Sequence, residues 1–170
     1  MITPDYCQLM ANYNGWMNER LYAVCSDFSD ADRRRDRGAF FSSIHGTLNH
    51  LLWGDRMWLG RFTGVPFAFP AFGADMFGSF DDLRRERVIT DQAIVTWAAS
   101  VRAEWLASTL EYESRVDGKT RRLSAAIAVV HLFNHETHHR GQLTTLISQA
   151  GVDPGVTDLP WIPGAVEIVA

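Results

Sequence analysis

Four of the chain's six histidines fall within nine residues, in the stretch His131-Leu-Phe-Asn-His135-Glu-Thr-His138-His139. On a helix, with His135 as reference, His131 lies at about −40°, His138 at about −60°, His139 at about +40° and Gln142 at about −20°. Ala128 and Leu146 share that face, which is the stripe a packed helix turns inward, so the imidazoles are expected inside the fold. A lone buried histidine is ordinarily a hydrogen-bonded core residue. A stack of four is costly, because each ring brings two nitrogens that need partners in a low-dielectric interior. A divalent cation relieves that cost by taking one nitrogen from each ligand. The helices facing this one therefore have to be apolar along their length and to offer further donors at one level.

The rest of the chain supplies such helices. Thr3-Pro4-Asp5 is an N-cap, a proline at the first helical position and an acid in the first turn. Tyr6, Met10, Tyr13, Met17, Leu21, Val24 and Phe28 then recur at three- and four-residue steps. Ser29 to Gly38, with its alternating aspartates and arginines, has no such period and is expected as a solvated, mixed-charge connection. A second helix is predicted over about Ser42 to Phe62, with Phe41, Ile44, Leu48, Leu52, Leu59 and Phe62 on one stripe. Asp55 falls on that stripe too, where a carboxylate must be paired or hydrogen-bonded. Gly64 to Gly78 is proline- and phenylalanine-rich and reads as a packed loop able to act as a lid. A third helix is expected from Ser79 or Asp81 to about Leu110, with a kink or break possible at Thr90-Asp91. Asp117-Gly118, between Leu110–Arg115 and Thr120–Leu123, predicts a short hairpin. The last helix should run from Ser124 to Ala150 and stop at Gly151. A turn-rich tail follows, anchored by Trp161 and Ile162. Four long apolar-faced helices with little strand pattern predict an all-α, four-helix bundle spanning residues 1–170 as one domain.

Composition narrows the function classes. At 170 residues the chain can bury a core without staples, and its 46% hydrophobic and 21% charged residues are ordinary globular usage. No apolar run is long enough to span a membrane. A net charge of −4 gives no support for nucleic-acid binding. The start MITPDYCQLM has no secretion-signal pattern, which predicts a cytoplasmic protein. Cys7 and Cys25 lie about 27 Å apart along one predicted helix, too far for a disulfide, whose α-carbons stay within about 7 Å.

His135 and His139, at i and i+4, project to one side of their helix as two ligands of one ion require. A third must come from elsewhere, and both His45 and His50 of the second helix are available. On the wheel His45 lies nearer the Leu48–Leu52 stripe and His50 roughly opposite it. His131 and His138 are then partners or pocket residues around the ligands. His135-Glu136-x-x-His139 also spells H-E-x-x-H, in which the glutamate of a zinc peptidase polarises the attacking water. Thr145 stands where a further histidine would extend that motif, and no sheet precedes the helix to hold a peptide. Glu136 is nonetheless a candidate base. A di-iron carboxylate site would need paired Glu-x-x-His units, and one is present. Asp55 is a candidate partner for a ligand histidine or for another buried donor. Arg140 can steady an anion, or lie on the surface or between helices.

His135-Glu-Thr-His-His139-Arg140-Gly141-Gln142, with Leu48-Asn49-His50-Leu51 upstream, resembles the DinB family, also called DinB/YfiT-like. The likeness extends through Phe41–His50, Trp53-Gly-Asp55-Arg-Met-Trp58 and Gly151–Pro160. It implies an up-down-down-up four-helix bundle holding one divalent ion, zinc or nickel, with His50, His135 and His139 as ligands. It further implies an enzyme that activates a thiol or a water. The activities expected are a thiol-dependent transferase or isomerase, using a low-molecular-weight thiol such as mycothiol or bacillithiol, or a hydrolase of an unnamed small molecule. The alternative is a non-catalytic metal-binding stress-response module. Six tryptophans leave aromatic surface for a homodimer.

Overall fold

The computed structural model describes residues 2–70, 73–114 and 117–164. Part of the expected loop (71 and 72) and of the expected hairpin (115 and 116) lies outside the described residues. The fold is mostly helical, with one small two-stranded sheet.

Helix α1 (Pro4–Ser26) starts where Thr3 accepts the Tyr6 N–H on its side-chain oxygen. The segment expected as a solvated connection contains a short helix, α2 (Asp30–Arg34). Ser29 caps it, and its acids precede its bases, so charge follows the helix dipole and Asp30 pairs with Arg34 at 3.0 Å. Helix α3 (Ile44–Thr63) is capped by Ser43 and stops at Gly64, whose φ of 73° is the left-handed conformation glycine adopts freely. Helix α4 (Phe80–Ser100) is capped by Ser79 and ends well before Leu110. Val101 and Arg102 are extended, and the one-turn helix α5 (Ala103–Leu106) follows. This break lets Trp105 turn back edge-on against Trp97 and Phe62. Thr90-Asp91 does not interrupt α4, because the Thr90 hydroxyl donates to the Glu86 carbonyl one turn back and Asp91 is drawn into an internal ion pair with Arg87.

Strands β1 (Thr109–Glu113) and β2 (Thr120–Ser124) pair antiparallel, from Thr109 opposite Ser124 to Glu113 opposite Thr120. Helix α6 (Ala125–Gln149) follows directly and ends before Gly151. The tail closes with a 3-10 turn, Leu159–Trp161. Three residues per turn put Leu159 and Ile162 on one side, where both pack on the core, and leave Trp161 64% exposed. Ile162 thus anchors the tail as expected and Trp161 does not. The Tyr13 hydroxyl also holds the tail, donating to the Thr157 carbonyl.

The four long helices touch pairwise, α1 against α4 and α3 against α6, with α3 also on α4 and α1 on α6. Their buried apolar residues form two clusters. One holds Met17 and Leu21 of α1, Leu48 and Leu52 of α3, Leu83 of α4, and Leu143 and Ile147 of α6. The other holds Ala11, Trp58, Ile94 and Leu132. Between them every long helix carries polar residues: Asn14 and Asn18, Asp55, Arg87 and Thr90, Glu136 and Arg140, all buried. Among the described residues no helix is long and apolar enough to cross a membrane.

Candidate metal centre

Helix α6 presents His135 and His139 one turn apart, and α3 packs beside it with His50 at the same level. The Nε2 atoms of His135 and His139 each lie 3.1 Å from Nε2 of His50. One donor nitrogen from each of the three rings falls within a sphere that suits a single ion. Metal–nitrogen bonds of about 2.0–2.1 Å place ligand nitrogens about 3.3 Å apart in a tetrahedral site and about 2.9 Å apart at right angles. The observed separation falls between those limits. Hydrogen bonding alone serves these atoms poorly, because a neutral His50 Nε2 carries at most one proton to share between two neighbours.

The environment keeps the rings neutral. Burial pushes His50 down to about 3, helped by the imidazoles of His139 and His135. Burial likewise takes His139 down to about 4, against the hydrogen bond it donates to Gln142, which favours its charged form. His135 is also lowered, chiefly by burial, with Asp55 opposing. Neutral imidazole is the form that binds a metal. Gln142 fixes one ring: its Oε1 accepts from His139 Nδ1 at 2.8 Å, leaving the Nε2 lone pair facing His50. Its amide Nε2 lies 3.2 Å from His138 Nε2, so Gln142 ties the exposed His138 to the buried His139.

The remaining histidines do not join the three nitrogens. His45 is buried but turned toward the segment after α3, its Nε2 3.0 Å from the Phe77 carbonyl oxygen and 3.5 Å from Asp75. Asn49 pins the same place, accepting the Phe77 N–H at 2.9 Å. The sequence leaves His45 and His50 open because α3 is covered on nearly all sides, so lying off its apolar stripe does not mean facing solvent. His131 and His138 are exposed rather than internal. The centre sits near the edge of the α3–α6 contact, so rings displaced to one side of His135 on the wheel reach the rim. His131 packs edge-on against Trp58 there.

Glu136 is 0% exposed and points away from the open side of the three rings, into the polar layer between the apolar clusters. This placement does not suit a base that must reach solvent-borne substrate. Its Oε2 lies 3.7 Å from Arg140, which is itself buried, donates to Asn14 and lies over the Tyr13 ring. Arg140 therefore packs between helices rather than lying on the surface. Asp55 is bound by Arg87 at 2.6 Å, and Arg87 reaches Asp91 at 2.8 Å. Burial, reinforced by Glu136, pushes Asp55 up to about 8 against the pull of Arg87. Glu136 is raised by burial too, opposed by Arg140 and Arg87. Two carboxyls side by side in the interior share a proton more readily than they both ionise.

Several contributors were not assigned to the centre from the sequence, which placed Phe41 on the apolar stripe of the second helix. Phe41 lies flat on the His50 ring, centroids 3.8 Å apart, and meets His139 edge-on. It is delivered by a tight turn in which Ser42 takes a left-handed φ of 61°. Trp53 lies nearly parallel to the His50 ring, centroids 6.2 Å apart, and meets Phe69 edge-on. Gly54 faces the His135 ring so closely that a Cβ there would stand 2.7 Å from Cε1. A glycine inside a helix, at the level of a suspected ligand, was the available signal.

A profile of the DinB family matches residues 1–166. Protein DinB of Bacillus subtilis is 21% identical over 158 residues, covering 91% of either chain. Among solved structures, a DinB-like protein from Bacillus cereus superposes with a TM-score of 0.62 at 20% identity, over 83% of this chain and 91% of that one. At that identity the structural likeness is one of fold.

Proposed function

The chain belongs to the DinB family, and on that premise we propose that it is a metal-dependent enzyme whose His50, His135 and His139 hold one divalent ion, zinc or nickel. The four mutually packed helices are then its up-down-down-up bundle. The observation that carries the reading is the convergence of three neutral imidazole nitrogens, 3.1 Å apart from His50 to either partner, drawn from two helices. A cation bound by three neutral ligands keeps its full charge and an open position, and so supplies an acidified thiol or water near neutral pH.

The chain's own residues shape what reaches that position. Phe41 and Trp53 wall the His50 side with aromatic surface and favour substrates carrying an apolar group. Gln142 holds His139 in the tautomer that offers Nε2. Glu136 is fully buried beside His135 Nδ1, so this reading has the nucleophile generated by acidification rather than by a neighbouring base. The reactions proposed are thiol-dependent transfer or isomerisation, with a low-molecular-weight thiol as co-substrate, or hydrolysis. Homodimerisation belongs to the same reading, with the exposed Val88 and Ile89 of α4 as apolar surface for it, and sedimentation equilibrium checks it.

The test is metal analysis of protein purified without an affinity tag, followed by a panel of thiols with model electrophiles and of generic esters. One equivalent of zinc or nickel and a rate abolished in a folded His135→Ala variant are expected. Stoichiometric metal without any rate would leave a binding module, and absence of metal would remove the proposal.

A further inference from the structure

Two buried polar atoms beside the centre lack hydrogen-bond partners and face each other. His135 Nδ1 has none, and Glu136, the partner left ionised when Asp55 keeps the proton the two carboxyls share, has no N–H donor within hydrogen-bonding distance. Nδ1 and Glu136 Oε1 lie 3.6 Å apart, a little beyond hydrogen-bonding length, while Oε2 is turned toward Arg140. An orphan donor and an orphan acceptor in the same interior each cost free energy, and closing the gap removes both costs. We propose that Glu136 is a positioning residue whose Oε1 accepts the Nδ1–H of His135 and so keeps the His135 Nε2 lone pair aimed at His50.

Three observations bear on this. First, His139 already shows the arrangement: Gln142 takes its Nδ1–H at 2.8 Å, and its Nε2 faces His50. Second, the single proton available on His50 Nε2 has two neighbours at 3.1 Å, which is tolerable only if both offer lone pairs. That requires Nδ1–H on His135 as well as on His139, and Glu136 is the acceptor at hand. Third, Glu136 cannot swing away. Arg140 holds one oxygen, Asp55 stands beside it, and Arg87 anchors Asp55 at 2.6 Å from across the interior. Gly54 closes the other side of the His135 ring. The glutamate of H-E-x-x-H thus acts on the metal ligand from behind rather than on a substrate from in front. A carboxylate behind a ligand imidazole fixes its tautomer and strengthens it as a donor.

The inference builds on the proposed metal centre, but its first test needs no metal. Long-range proton–nitrogen correlation on the metal-free protein at neutral pH reads the tautomer of each histidine. His135 is expected as Nδ1–H in the wild type, to move toward the Nε2–H form in Glu136→Met, and to remain Nδ1–H in Glu136→Gln, which keeps an acceptor oxygen. Zinc affinity by chelator competition should then fall at least tenfold in Glu136→Met and stay near wild type in Glu136→Gln. Nε2–H on His135 in the wild type, or an unchanged tautomer in folded Glu136→Met, overturns the proposal. The wild-type tautomer decides it even if Glu136→Met does not fold. A protein with Nδ1–H on His135 and no affinity for zinc or nickel would instead retire the metal reading and leave the positioning contact standing.

Discussion

Gly54→Ala is the sharpest perturbation of the centre because it adds one carbon and removes nothing. The new Cβ would lie 2.7 Å from His135 Cε1 and 3.2 Å from Nδ1. Carbon atoms pack at about 3.5–4.0 Å, so the ring has to retreat by about 1 Å or the helices have to part. Metal sites accept departures of about 0.2 Å in ligand distance, so the retreat takes His135 out of reach of an ion shared with His50 and His139. The cost to the metal-free fold is smaller: overpacking costs about 1–3 kcal/mol and the helix gains about 1 kcal/mol from alanine over glycine. Zinc affinity should fall about 100-fold, near 2.8 kcal/mol at 1.4 kcal/mol per tenfold. Thermal unfolding with zinc at 100 times the wild-type Kd gives a second reading. The wild type should gain about 2.7 kcal/mol from the metal, the variant about 0.4 kcal/mol. Gly141→Ala is the control, since a Cβ there meets nothing within 4 Å; it should leave affinity unchanged. Wild-type affinity in Gly54→Ala would refute the assignment of His135 to the centre.

Arg87→Met should destabilise the protein by about 3–5 kcal/mol in a denaturant titration, because it strands the buried Asp55 and the adjoining Asp91; a loss under 1 kcal/mol would mean the ion pairs are not formed. Phe41→Ala uncovers the His50 ring, so the pKa of His50, followed by NMR in the metal-free protein, should rise toward the ordinary histidine value, and no change would show that Phe41 is not what desolvates it. Because folding depresses His50 to about 3 and His139 to about 4, protons compete for these ligands only in acid. Protonation of His50 and His139 should therefore weaken zinc binding only as the pH falls through about 4 and 3, with any earlier loss left to His135, itself lowered below the ordinary histidine value, and an NMR titration showing His50 or His139 protonating between about pH 7 and 6 would contradict the depressed values.

The starts of α1 and α4 were legible because caps are local: Thr3 and Ser79 each bond to an N–H three residues on. The end of α4 was not, since Val101-Arg102 carries neither glycine nor proline, and the break is made by the distant Trp97 and Phe62 receiving Trp105. His135 and His139 could be paired from spacing alone, being neighbours on one helix. The choice of His50 over His45 depended on how α3 is turned, which its own pattern leaves open when nearly every side is buried. The polar layer was partly visible. Asp55 on an apolar stripe was the alarm, but nothing in the sequence pointed to Arg87 as its partner. Cys7, Ala11, Asn14, Asn18, Leu21 and Cys25 keep one helical stripe and are all buried, and Arg87 and Thr90 fill the gap between Leu83 and Ile94 on α4. Polar residues that keep an apolar period were the available sign of an internal network.

The same period explains how α6 carries a centre and a buried network within six residues. His135 and His139 stand one turn apart and face α3; Glu136 and Arg140, one residue further on at about 100° around the helix, stand one turn apart and face inward. His-Glu-x-x-His-Arg is therefore two i, i+4 pairs set side by side, one of imidazoles and one of opposite charges. The charged pair locks the rotation of α6 through Asn14 of α1 and, beside Glu136, through Asp55 of α3 held by Arg87 of α4. A rotation of even 20° at a radius of about 6 Å would move the imidazole nitrogens by about 2 Å, far outside metal-bonding tolerance. The costly burial of Arg87, Arg140, Asp55 and Glu136 in the middle of the fold is thus what a precise imidazole geometry at its edge requires.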